Sequence, residues 1–297
     1  MKAESNLKGV VAACVTPVTK TYDIDTDRLK AHMETVLDAG CAYVSEFGTT
    51  GEGASFSTRQ KADALKAIAG SGMDMKRHIP GVVSSSLDEA ASMFRAIAEV
   101  DARAALVIPP FYYAPSSPEA VADFYDAMIT RAGAPDTEII LYNFPHFSGV
   151  TFDETLVQIV LDRLGERVIG IKDSTGDLDA GLKLIRRFPQ LSVFTGDDRI
   201  LPEMVAAGGA GMIGGMTNPF PADTVRLYTG PVTEDFRRQA ASRIEAVDAF
   251  GGLTVLKAMV AEQRKEAAFK TAVPPLKVAS EETMKAVYKR IDETLKE

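Results

Sequence analysis

Val168-Ile169-Gly170-Ile171-Lys172-Asp173 is a short apolar run that ends in a lysine and an aspartate. Three of its six residues are β-branched, and it has no polar residue on alternate positions, so it reads as a strand covered on both faces. Seven further stretches have the same character: Gly9–Val15, Tyr43–Phe47, Ile79–Val83, Ala105–Ile108, Glu138–Tyr142, Ser192–Thr195 and Gly211–Gly214. Between them lie segments with helical spacing: Asp27–Ala39, Thr58–Ala69, Leu87–Val100, Pro118–Ala132, Asp153–Leu164, Leu178–Phe188 and Leu201–Ala207. Gly40 is expected to close the first of these and Gly70 the second, with Ser57 or Thr58 as the second helix's cap. The order is β-α repeated eight times, which predicts a (β/α)8 TIM barrel over residues 1–222. The rival, a doubly wound open sheet, prefers a glycine-rich phosphate turn after its first strand, where this chain has Thr16-Pro17-Val18-Thr19.

From residue 223 to residue 297 the strands stop. Three helical stretches are expected there, Thr233–Gly251, Leu253–Lys270 and Ser280–Lys296, with Pro274-Pro275 breaking the last two apart. This C-terminal three-helix extension is either a cap on the barrel or an oligomerisation surface. Flexible linkers and charge blocks are absent from it, so it is expected to pack.

Composition narrows the function. The 297 residues are 46% hydrophobic and 25% charged, which supports a large core and excludes wholesale disorder. A net charge of −8 leaves no basic face for nucleic acid or an anionic membrane. No run is long and apolar enough to span a bilayer, and the N-terminus lacks a signal-peptide core, so a cytoplasmic protein is expected. Two cysteines and three histidines do not make a disulfide scaffold or a Cys/His zinc module.

In a barrel the chemistry sits where strands end. On a regular sixth strand, Val168, Gly170 and Lys172 share one face while Ile169 and Ile171 share the other. With the isoleucines toward the helices, Lys172 points into the barrel mouth. Burial disfavours its charged form and favours a nucleophilic amine, although an ion pair with Asp173 is the alternative. Strand five ends in Tyr142, a candidate acid/base hydroxyl or a core aromatic. Strand two runs into Gly48-Thr49-Thr50-Gly51-Glu52-Gly53, whose hydroxyls and backbone N–H groups can converge on a small carboxylate. Strand four leads into the stiff aromatic loop Pro109-Pro110-Phe111-Tyr112-Tyr113-Ala114-Pro115, which also suits an interface. The glycines of Gly208–Gly215 read as close backbone packing. Asp197-Asp198 could orient a polyol or ligate a metal.

Together, a strand-end lysine, a strand-end tyrosine and a Gly-Thr-Thr-Gly-Glu loop spell imine chemistry on a small oxo-acid. The motifs are Val15-Thr16-Pro17, Gly48-Thr49-Thr50-Gly51-Glu52, Pro110-Phe111-Tyr112-Tyr113, Tyr142-Asn143-Phe144-Pro145, Gly170-Ile171-Lys172-Asp173-Ser174 and Thr195-Gly196-Asp197-Asp198. With these six in order, from about Leu7 to Leu295, the chain resembles the dihydrodipicolinate synthase / N-acetylneuraminate lyase family of class I pyruvate aldolases. The resemblance implies a Schiff base on Lys172, with no metal and no other cofactor. It implies proton transfer by Tyr142, and a pyruvate carboxylate held by Thr49, Thr50 and Gly51. Thr50 is expected to link Tyr142 to a second tyrosine, Tyr112, borrowed from a neighbouring subunit of a homotetramer built as a dimer of dimers. The carbonyl of Ile213 is implied near the keto acid.

The partners implied are pyruvate and an aldehyde. The synthase branch carries an arginine for the carboxylate of aspartate semialdehyde where this chain has Phe147. The Ser148-Gly149-Val150 and Ser174-Thr175-Gly176 stretches look more like the lyase and 2-keto-3-deoxy sugar-acid aldolase side, with Ser174 and Asp198 facing the acceptor. The reading is therefore a pyruvate aldolase acting on a 2-keto-3-deoxy sugar-acid type of substrate. The alternatives are 4-hydroxy-tetrahydrodipicolinate synthase, a 2-keto-3-deoxy sugar-acid dehydratase, and a catalytically silent barrel that only binds a small acid.

Overall fold

Eight β-α units form in the computed structural model, which describes residues 7–113 and 116–295. In chain order they are β1 (Gly9–Ala13), α1 (Thr26–Asp38), β2 (Tyr43–Ser45), α2 (Thr58–Gly70), β3 (Gly81–Val82), α3 (Leu87–Glu99), β4 (Ala105–Val107), α4 (Pro118–Arg131) and β5 (Ile139–Asn143). A four-residue helix, α5 (Pro145–Ser148), precedes α6 (Glu154–Leu164), β6 (Val168–Asp173), α7 (Leu178–Arg187), β7 (Ser192–Thr195), α8 (Leu201–Ala206), β8 (Gly211–Gly214) and α9 (Pro221–Thr229). The extension follows as α10 (Glu234–Ala249), α11 (Leu253–Arg264) and α12 (Glu281–Thr294).

The strands are all parallel, in the order β2-β1-β8-β7-β6-β5-β4-β3. The seam between β2 and β3 is drawn shut by Ile79 N–H to the Val44 carbonyl and Gly81 N–H to the Glu46 carbonyl, both 2.8 Å. The result is a TIM barrel.

Alternation sorts the apolar side chains into two layers. Val10 and Ala12 of β1 pack with the helices, beside Leu29 and Met33 of α1. Val11 and Ala13 belong to a second cluster that contains no helix residue, with Leu106, Ile140, Tyr142, Phe194 and Ile213, and so lie inside the barrel. The extension has its own core, in which Val255, Met259 and Val260 of α11 meet Val15 and Met216 from the barrel's C-terminal end.

Helix ends follow local chemistry. Ser57 caps α2 in a reciprocal capping box with Gln60. The turn after α2 is made by Gly72 at φ +85°, not by Gly70, which is the last helical residue. The stretch expected to run from Leu253 to Lys270 breaks at Lys265, whose φ of +56° ends α11 in the left-handed region, and Ala267–Lys270 form a separate 3₁₀ turn. α9, unforeseen in the sequence, starts on Pro221 and runs across residue 222. Of the last expected helix, Lys296 lies outside the described residues. No described helix is long and apolar enough to cross a membrane.

β6 departs from regular alternation. Its pairing with β5 shifts register: Ile139 faces Val168, but Ile140 faces Gly170. Ile169 is thus an extra residue on β6, a β-bulge. Ile169 lies inside the barrel with Tyr142, whereas Val168 and Ile171 pack outward with the helices. The expected sorting, with Val168 on the lysine's face and Ile169 opposite, is corrected by this bulge. Lys172 still points inward, opposite Tyr142 in the register.

Candidate active site

A cavity of about 540 Å³ opens at the C-terminal ends of the strands. At its floor Lys172, 5% exposed, places Nζ 4.1 Å from the centroid of the Tyr142 ring. The two residues are register partners on β6 and β5, so backbone pairing alone brings them side by side. The residue after each faces the other way. Asn143 Nδ2 donates to Asp173 Oδ1 at 2.9 Å, and Asp173 also accepts from the amide and the hydroxyl of Thr175. Asp173 is therefore not the counter-ion of Lys172. Burial raises its carboxyl above the ordinary aspartate value, while the bonds from Thr175 and Asn143 oppose the rise. Among the described residues, no carboxylate lies within ion-pair distance of the lysine.

The loop after β2 brings Thr49 and Thr50 to the cavity wall. The Tyr142 hydroxyl donates to Thr49 Oγ1 at 3.3 Å. The partner of the tyrosine is thus Thr49, whereas Thr50 was expected to make this link. Thr50 instead lies beside Gly215: a Cβ on that glycine would sit 3.4 Å from Thr50 Cγ2 and 2.7 Å from Leu256 Cδ1. This crowding accounts for a glycine there as close packing rather than phosphate binding. Gly51 sits beneath the wall, its carbonyl accepting from Thr16 Oγ1 at 2.7 Å.

Ser174, Ile213, Asp198 and Phe147 all line the cavity. Phe147, 57% exposed, projects from α5 with its ring 4.8 Å from that of Phe144. Tyr112 does not line it. At φ +83° and 86% exposed, it stacks edge-on against Tyr113 at the tip of its loop, away from the site of its own chain. Ala114 and Pro115, the rest of that loop, lie outside the described residues.

Asp197 and Asp198 diverge. Asp197 is gripped by Arg199 through contacts of 2.6–3.1 Å, and Arg199 also reaches Asp248 at 3.6 Å. Asp198 is buried and accepts from Thr224 Oγ1 at 3.1 Å, while its Oδ2 has no partner. Among the described residues, no three His, Cys, Asp or Glu side chains converge as metal ligands. Burial pushes the Asp198 carboxyl up to about 7, the bond from Thr224 opposing and neighbouring Asp197 adding to the rise.

This has a consequence for stability. The folded state prefers the protonated form, so stability is withdrawn as pH rises from the free-aspartate value of 3.8 toward about 7. The full effect is of order 4 kcal/mol as a ceiling. Asp198→Asn, which keeps an acceptor for Thr224, should melt roughly 5 °C above the unmodified protein at pH 8, with the gap narrowing at pH 5. Melting curves at both pH values check this, and a gap of equal size at both would refute it.

Sequence reading missed the wall opposite the lysine. It is built from the extension: Val247 and Asp248 of α10, Leu253 and Leu256 of α11, and Leu276 beyond them. The extension is thus a cap at the barrel mouth.

The profile of the Dihydrodipicolinate synthetase family matches residues 6–288. The chain belongs to that family. An uncharacterized DapA-like lyase of Chloroflexus aurantiacus is 28% identical over 292 residues, 96% of this chain and 97% of the relative. The crystal structure of dihydrodipicolinate synthase from Agrobacterium tumefaciens superposes with a TM-score of 0.88 at 27% identity, over 96% of this chain and 99% of that one. A variant of the 2-keto-3-deoxygluconate aldolase of Sulfolobus solfataricus shares the fold, with a TM-score of 0.82 at 21% identity over 96% and 95% of the two chains. As a member of the dihydrodipicolinate synthetase family, the protein is a lyase of the pyruvate-dependent class I aldolase type.

Proposed function

We propose that this family member joins pyruvate to a neutral hydroxy-aldehyde, or cleaves the corresponding 2-keto-3-deoxy sugar acid, through an imine on Lys172. Lys172 Nζ attacks C2 of pyruvate, and the carbinolamine loses water to give the imine. Loss of a C3 proton gives an enamine that attacks the aldehyde carbon, and hydrolysis frees the product. Tyr142, whose ring lies beneath the amine, is suited to pass protons at the carbinolamine and at the aldehyde oxygen. Thr49 and Thr50 are suited to the pyruvate carboxylate. Ser174 and Asp198 line the space left for the aldehyde's hydroxyls, and the Ser174 hydroxyl is suited to bond one. Tyr112 is exposed in its own chain, which supports its use in a neighbour's site within a homotetramer.

The observation that carries the choice of aldehyde is the charge at the mouth. Asp197, Asp198 and Asp248 line it with one arginine, Arg199, already held by Asp197 and Asp248, and Phe147 occupies the place of a carboxylate-binding arginine. An acceptor carrying its own carboxylate meets no available cation here, whereas a polyol meets hydroxyl-bonding groups.

Reduction with borohydride in the presence of pyruvate tests the imine. One reduced pyruvate per chain is expected, mapped by mass spectrometry to Lys172, with inactivation in step. An adduct on another lysine, or none, removes the mechanism.

A further inference from the structure

Lys257 of α11 and Glu52 of the threonine loop form an ion pair whose side chains are both fully buried, and they lie 205 residues apart in the chain. The second carboxylate oxygen of Glu52 accepts from the Val273 amide at 2.8 Å. One side chain from the loop therefore ties down two separate parts of the extension. Both parts also line the cavity: Leu256 is the chain neighbour of Lys257, and Leu276 follows Val273 by three residues.

The loop itself is under conformational constraint. Glu52 lies at φ +57° and Phe47 at φ +59°, in the left-handed region that non-glycine residues disfavour. Gly53 has no room for a side chain, since a Cβ would fall 1.8 Å from the Phe47 carbonyl oxygen. Such a conformation persists only when its surroundings over-determine it. Thr49 and Gly48 accept from the amides of Glu52 and Gly53 at 3.1 and 2.9 Å, and buried Lys61 donates to the Gly53 carbonyl at 2.9 Å. The first two close the loop on itself, and the bond from Lys61 ties it to α2 of the barrel. Glu52, through Lys257 and the Val273 amide, anchors it to the extension.

We infer that Glu52 and Lys257 are positioning residues, through which the C-terminal helices hold Thr49 and Thr50 in the geometry that receives the substrate carboxylate. Neither touches the reacting atoms. The inference rests on the proposed role of the threonines, so its test has one arm that needs pyruvate and one that does not.

Lys257→Met alone strands a buried carboxylate and lowers the melting temperature. The Glu52→Gln/Lys257→Met double variant removes both charges, keeps an acceptor for Val273, and should melt close to the unmodified protein. In that double variant the pyruvate KM is expected to stay raised about tenfold, with kcat at saturating pyruvate within about threefold, the split expected of lost ground-state binding. Glu52→Gln alone, the mildest change, should raise KM about threefold. A KM that returns to the unmodified value as the melting temperature recovers would overturn the inference. Hydrogen exchange at the amides of Glu52 and Gly53 is the second arm. It should quicken at least tenfold in the double variant, with exchange in β5 and β6 unchanged. Unchanged loop exchange would overturn the inference too. If the unmodified protein takes up no pyruvate, the proposed function falls, while the exchange arm still decides whether the pair holds the loop.

Discussion

Lys172→Ala is expected to lower turnover by at least roughly 10⁴-fold and to abolish borohydride trapping of pyruvate, while the protein folds and melts close to the unmodified form. In the proposed mechanism the amine is the group that bonds to substrate, and among the described residues no second lysine lines the cavity. Removing it leaves a small void at the barrel mouth but breaks no ion pair, so the loss should fall on chemistry. Tyr142→Phe should be milder, ~10²–10³-fold, because the ring beneath Nζ is kept and only the hydroxyl that reaches Thr49 is removed. The discriminating measurement is trapping set beside turnover. Tyr142→Phe should still form the covalent adduct, only slowly, whereas Lys172→Ala should form none. Full activity in Lys172→Ala would end the imine reading outright.

Phe147→Arg is expected to change partner choice rather than rate in general. A charge-assisted bidentate contact to a carboxylate is worth about 2–4 kcal/mol when desolvated. The position is 57% exposed, so solvent screening trims this to about 1.5–3 kcal/mol. That corresponds to roughly 10- to 150-fold in the ratio of kcat/KM for aspartate semialdehyde to that for glyceraldehyde, each at saturating pyruvate. The unmodified enzyme should favour glyceraldehyde. If it favours aspartate semialdehyde instead, the acceptor reading is wrong, and Arg199 is the first cation to examine.

The barrel was legible because its strands are buried on both faces: eight apolar runs at regular spacing leave few other folds. Lys172 and Tyr142 were legible for a related reason, since strand ends are where a parallel barrel exposes side chains. What the sequence hid was non-local or very short. α5 spans four residues, too few for any periodicity, and rests on Pro145 at its first turn. α9 was lost in the stretch where the strands give out. The choice of Thr49 over Thr50 depends on how a glycine-flanked loop turns, which no pattern of hydrophobicity encodes. The Glu52–Lys257 pair joins residues in distant elements, each unremarkable among many glutamates and lysines.

The extra residue in β6 makes the direction of the nucleophile a matter of odd and even. Counting inward from Val168, which faces the helices, an uninterrupted strand would carry Lys172 to the outside as well. Deleting Ile169 would leave Val168 and Gly170 to Asp173 paired one-to-one with Ile139 to Asn143 and the amine still inward, whereas one residue added between Gly170 and Lys172 would turn the amine into the apolar layer beneath the helices. A strand built this way would tolerate a codon lost at its bulge but not one gained beside its lysine.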